Sequence, residues 1–366
     1  MAAALAKALE LAEVLDDTHY RLRAMYGLFV YHFVTGDYRG ALAMVETLAT
    51  VAERTGDPGD VLIARQTIGA TVHVLGDQSA ARQHVEPAIN SALLATHGSH
   101  IIRYQFDPRV SGHCFYARIL WLQGFADQAR RIADSIVDYA RAKDHLDSLL
   151  IALHHAACPI ALYVGDLVVA DRHVKLLIDL AVKHAQESYR VAGRCFESVL
   201  LIKRGDSRAG ARLLQAALGE LPEVAFLMHS AVLLAELAEA LGGAGQIAEG
   251  LAAVDDALAR VERTAGRWCI AELLRKKGEL LLLQGAPAAA ADAEECFRQA
   301  LDWSRRQGAL WWELGSATSL ARLWHQQGLT EPARELLAPV YRRFTEGFDT
   351  ADLRAAKVLL DELAPG

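Results

Sequence analysis

A register of glycines constrains this chain more than any other feature. Gly36, Gly76, Gly124, Gly165, Gly205, Gly245, Gly285 and Gly328 each precede a new run of helical periodicity, at spacings of 40, 48, 41, 40, 40, 40 and 43 residues. Self-similarity at such a period marks an array of stacked units. Small residues keep the same register. Seven positions before the glycine stand Gly69, Ala117, Cys158, Ser198, Ala238, Gly278 and Ala321, with Phe29 as the exception. Five positions after it stand Ala41, Ala81, Ala129, Ala170 and Ala333, with Gly210 and Gly250 substituting and Ala290 or Ala293 in the seventh unit.

Close helix packing explains the pattern. Two antiparallel helices approach closely only where the facing side chains are small. Glycine at the end of the first helix supplies the left-handed cap. Asp37, Asp77, Asp166 and Asp206 follow directly and suit the next N-cap. The spacing therefore predicts helical hairpins at 18–35/38–55, 58–75/78–96, 109–123/125–143, 145–164/167–187, 188–204/207–219, 223–242/246–265, 267–284/290–307 and 310–327/330–346. Residues 1–16 read as a second helix whose first helix is missing, which predicts a fragment of a longer chain. A helix over 350–363, with one charged face, reads as a C-terminal cap. The fold class is all-α, one solenoid over residues 1–366.

Composition agrees. The chain has 366 residues, 52% of them hydrophobic but only 7% aromatic, as alanine-rich helix contacts require. The formal charge of −7 argues against a broad nucleic-acid surface, which needs clustered Lys and Arg. No stretch approaches 18 uninterrupted apolar residues, which argues against a membrane span. Five scattered cysteines without a CxxC pair support neither a disulfide framework nor a zinc ribbon. The simplest expectation is a cytoplasmic protein.

The hairpins resemble the tetratricopeptide repeat (TPR), lengthened from 34 to about 40 residues per unit; the likeness implies a right-handed α-solenoid of about eight repeats. A narrower likeness lies in RTAGRWCIAELLRKKGELLL (263–282), AEECFRQALDWSRRQGA (293–309), LGSATSLARLWHQQG (314–328) and ARELLAPVYRRFTEGFDTADLRAAKVLLDEL (333–363), and in YQFDPRVSGHCFYARILWLQGFADQA (104–129). These resemble the C-terminal TPR region of large bacterial STAND-type ATPase signalling proteins. In that family a class III nucleotide cyclase or winged-helix output module precedes the ATPase. The resemblance implies a regulatory sensor array; a free-standing TPR adaptor is the alternative.

In TPR arrays the first helices line the concave face. The offsets implied by the resemblance give Arg23, Tyr26, Phe33, Gln66, His73, Arg118, Trp121, His155, Tyr163, Lys203, Glu239, Glu272, Arg275, Glu279, Arg322 and His325. Arg118, Arg275 and Arg322 suit carboxylates of a partner, although Glu272, Arg275 and Glu279 are spaced to form their own ladder. Arg118 and Trp121 are the preferred patch. The long 48-residue spacing accommodates an insert, HGSHIIRYQFDPRVSG (97–112), with Arg103, Tyr104, Asp107 and Arg109 as contact candidates. Expected partners are a protein or peptide, a neighbouring domain of the same chain, or a small-molecule signal, with neither nucleic acid nor membrane among them.

Catalytic signals are absent. No GxxxxGK[ST], GxSxG or HExxH occurs, so neither catalytic residues nor a cofactor are expected. His154 and His155 are adjacent and diverge by about 100° on an α-helix, so no metal site is expected there. His113–Cys114 diverge likewise. Trp311, Trp312, Trp324, Tyr341 and Phe344 read as core of the last hairpins, with Trp121 and Trp268 similar. Pro87 and Pro159, inside expected helices, predict kinks.

Overall fold

The computed structural model describes residues 2–91, 107–220 and 227–364. Its helices are α1 (Ala2–Val14), α2 (Thr18–Val34), α3 (Tyr38–Thr55), α4 (Pro58–Leu75), α5 (Gln78–Ile89), α6 (Pro108–Leu122), α7 (Ala126–Ala142), α8 (Leu146–Val164), α9 (Leu167–Lys183), α10 (Glu187–Lys203), α11 (Ser207–Glu220), α12 (Leu227–Gly243), α13 (Ile247–Thr264), α14 (Ile270–Gln284, preceded by a 3-10 turn at Arg267–Cys269), α15 (Ala289–Gln307), α16 (Leu310–Gln326), α17 (Thr330–Tyr341) and α18 (Ala351–Glu362). No strand occurs among the described residues. The hairpins α2/α3 through α16/α17 stack into a right-handed TPR-like α-solenoid.

All eight register glycines have positive φ, between 67° and 107°. Asp37, Asp77, Asp166 and Asp206 accept bonds from the backbone N–H three residues on, at 2.9–3.1 Å. Between the helices the fit is tight. A Cβ on Gly210 would lie 2.9 Å from the Ser198 carbonyl, and one on Gly250 would lie 2.8 Å from that of Ala238. These pairs are the small residues on either side of the turn, so their size sets the helix separation.

Four local departures have backbone causes. α5 ends at Ile89 rather than 96, two residues beyond Pro87, and α17 ends at Tyr341 rather than 346, two beyond Pro339. The segment read as an insert to 112 is helical from Pro108, because Asp107 accepts from the Arg109 N–H at 2.9 Å and proline suits a helix's first turn. In α8, Pro159 has no N–H to give. The turn before it, Leu153–Ala157, widens to a π-turn in which the Cys158 N–H reaches back to Leu153 O. α8 is also, among the described residues, long and apolar enough to cross a membrane, with 72% of that stretch buried in the fold.

Candidate functional site

The superhelix closes on itself, and the side chains expected along an open concave groove fill its lumen instead. Trp121 of α6 stacks on Tyr163 with ring centroids 4.3 Å apart and meets Trp312 edge-on at 4.9 Å and Trp311 at 5.8 Å. Trp268, in the turn before α14, lies 5.7 Å from the His73 ring of α4. Its indole N–H donates to Met228 O at 3.2 Å, and its own carbonyl accepts from Trp312 at 3.1 Å. At the rim a polar clasp joins α7 to the loop before α18. Glu346 accepts from the Gln128 backbone and amide at 2.9 and 3.2 Å, the Gly347 N–H donates to Asp127 at 3.1 Å, and Arg130 pairs with Asp349 at 3.1 and 3.3 Å. The partners at Glu346 and Asp349 are 218 and 219 residues from theirs in sequence.

Arg118 stands at the centre of this lumen, 1% exposed. Gln78 donates its amide to His73 O, which turns its oxygen toward His73 Nδ1 at 2.7 Å. Nδ1 therefore carries the proton, and Nε2 is left to accept from Arg118 Nε at 3.3 Å. Arg118 Nη1 lies 3.3–3.4 Å from both ring nitrogens of His229 on α12, and the guanidinium lies over Trp268 at 4.6 Å. Nη2 has no partner. His154 and His155 complete the cluster, with His155 Nδ1 3.4 Å from His229 Nε2. Burial, reinforced by the Arg118 cation, holds His73 and His155 down to about 3 and His154 and His229 well below their usual value. All four rings are neutral at pH 7.

One ligand atom from each of His154, His155 and His229 lies within 4.8 Å of the others. The expected divergence of the adjacent pair is overcome by the π-turn, which changes their rotation, and by a third ring from α12. A divalent ion among them would face Arg118. At about 5 Å and an effective dielectric near 20 that repulsion is roughly 7 kcal/mol, so the site as built disfavours a cation.

A second polar cluster lies toward the C-terminal end. Lys276 of α14, 4% exposed, has Glu236 and Glu272 within 3.6–3.7 Å and pairs with the half-exposed Glu239. Burial pulls its pKa down, but the three carboxylates overcome this and hold it above the usual value. Arg275 bonds Glu272 at 2.6 Å and Glu279 at 2.7 Å, and Ser319 donates to Glu279. This is the ladder expected from their spacing. The lumen is thus basic around α4, α6 and α8 and acidic around α12 and α14.

The groove candidates divide accordingly. Gln66, His73, Arg118 and Trp121 are buried, and His155, Tyr163 and Arg275 partly so; a partner reaches them only through an opened superhelix. Gln66 is spent on helix packing, donating to Pro108 O at 2.7 Å. Arg23, Lys203, Glu239 and Arg322 are exposed and Tyr26 half-buried, outside the central cluster. Arg103 and Tyr104 lie outside the described residues. Asp107 is buried as a helix cap and also accepts from the Tyr139 hydroxyl at 3.0 Å, while Arg109 stacks on Tyr139 at 4.6 Å. Trp311 and Trp312 are core, as read, but against Trp121 rather than within the last hairpins alone. Sequence reasoning missed His229, which stands 16 positions before Gly245 and so outside the groove offsets, and undervalued His154, whose one signal was Pro159 downstream.

Among solved structures the chain is similar to a Rap protein complexed with Competence and Sporulation Factor, with a TM-score of 0.58 and 9% identity over 93% of this chain and 96% of that one. It is also similar to a Pyrococcus horikoshii STAND protein with a tetratricopeptide repeat sensor (TM-score 0.46, 11% identity, 89% of this chain and 49% of that one) and to yeast Tom70 (TM-score 0.38, 11% identity, 99% and 96%). The chain therefore spans about half of the STAND protein's length. No protein-family model matches the sequence, and no curated protein matches it. The shared property is the fold.

Proposed function

We propose that this chain is a non-catalytic interaction and sensor array, the regulatory part of a bacterial signal-transduction ATPase with cyclase or transcription-regulator output. A protein or peptide, a neighbouring domain, or a small-molecule signal binds the lumen-lining face and changes how far the superhelix is closed. One observation carries the reading: cationic, imidazole, aromatic and acidic side chains from α4, α6, α8, α12, α14 and α16 converge on one closed lumen. That lumen is shut at its rim by a few polar contacts, part-buried at Glu346 and Asp127 and exposed at Arg130–Asp349, where the ion pair contributes about 0–1 kcal/mol. Burial pushes Cys114 and Cys269 up to about 12, so these thiols stay protonated and are poor nucleophiles. The ATPase context rests on the sequence likeness of residues 263–363.

The test uses the longer chain with and without residues 1–366, measuring ATPase rate and partner capture. Loss of regulation and of capture on deletion supports the reading; unchanged rate and capture refute it. Capture lost while no ATPase is encoded alongside favours the adaptor.

A further inference from the structure

The Arg118 guanidinium has no counter-charge. Among the described residues no carboxylate lies within 4 Å of it; its neighbours are His73, His229, Trp268, Cys114, Cys269, Tyr38 and Tyr163, all neutral. Buried cations are ordinarily paired, because removing an ion from water without compensation is costly. The side chain is nevertheless held firmly. Nε is fixed through His73 by Gln78, Nη1 by the His229 ring, and the plane by Trp268. Only Nη2, fully enclosed, has nothing to donate to. A positioned cation with one idle donor edge, with the neutral imidazoles of His154, His155 and His229 close by, is the arrangement of an anion receptor.

We propose that Arg118 is the receptor for an oxyanion, a phosphate or a carboxylate, which reaches Nη2 as the superhelix opens. This names the ligand chemistry of the sensing face and rests on that reading only for its consequence: anion binding with no effect on partner capture would keep the site and remove the regulatory role.

The experiment measures heat of binding and melting temperature of the 366-residue chain against inorganic phosphate and, separately, acetate at constant ionic strength. Arg118→Met and Arg118→Lys are compared with the wild type. Saturable stabilisation of the wild type is expected, with affinity reduced at least tenfold in both variants. In anion-free buffer Arg118→Met should melt at or above the wild type, since an uncompensated charge is gone; a purely structural arginine would give the opposite. A response to phosphate alone assigns a dianion, and a response to acetate as well assigns a carboxylate-tolerant site. If Arg118→Met fails to fold, Arg118→Lys decides. The proposal is overturned if neither anion binds saturably, if the variants respond as the wild type does, or if Zn2+ stabilises the wild type but not His155→Ala while the anions have no effect.

Discussion

Trp121→Ala separates closure of the superhelix from stability of its repeats. The indole is 1% exposed. Of its three ring partners, Tyr163 lies in the next repeat, whereas Trp311 and Trp312 lie across the lumen. Truncating a buried Trp costs about 3–5 kcal/mol. Assigning roughly half of that contact to α16 withdraws about 2 kcal/mol from closure, a shift of about 30-fold toward open forms. The exposed Arg130–Asp349 pair contributes at most about 1 kcal/mol, so Arg130→Ala should open the chain far less. Trp121→Phe is a further control: the buried indole N–H has no acceptor, and losing an unsatisfied donor offsets part of the lost contact. X-ray scattering should show an increased radius of gyration for Trp121→Ala, with faster amide exchange in α6 and α16. Lowered stability with unchanged radius and unchanged exchange in α16 would refute the reasoning, as would Arg130→Ala opening the chain more than Trp121→Ala.

Acid should loosen the molecule. His73, His154, His155 and His229 have folded pKa values below the unfolded value near 6.5, so the unfolded chain binds more protons between those limits and stability falls with decreasing pH there. Urea unfolding should be nearly flat in these groups above pH 6.5 and decline toward pH 3, and His229→Gln should make the decline shallower by about one proton. Glycine substitutions should divide by cause. Gly245→Ala, with φ of 84° and open space around a Cβ, should cost about 1 kcal/mol of backbone strain, whereas Gly210→Ala, whose Cβ would lie 2.5 Å from Ile202 and 2.9 Å from a carbonyl, should cost about 2 kcal/mol or more in chemical denaturation despite alanine's better helix propensity. Thiol titration at pH 8 should label the partly exposed Cys296 first, although burial raises its pKa too, and Cys114, Cys158, Cys195 and Cys269 only at the rate of unfolding.

The repeats were legible because their determinants are local. A left-handed cap and small facing residues recur within each unit, so Gly205 with Ser198 and Gly210 could be read without knowing any neighbour. Closure left no such trace. Trp121 meets Trp312, and Arg118 meets His229, because of the summed curvature of several repeats, and no fixed spacing encodes that sum. The resemblance puts Arg118 and Trp121 on the helix face that lines the lumen but implies that this face is an open groove, and in the structure it is closed. The divergence of about 100° expected of His154 and His155 holds only in an unbroken α-helix; the π-turn before Pro159 departs from that geometry, and both rings gather with His229.

Closure also changes how the array holds together. In an open solenoid each repeat couples only to its neighbours, so terminal units fray and stability is a sum along a line. Here α7 is tied to the loop before α18, and α4 to the turn before α14, which joins the line into a ring. Losing one end of a ring costs the contacts across the seam as well. Unfolding should therefore be less graded than repeat count implies, and folding should wait on a late, entropically costly meeting of distant segments.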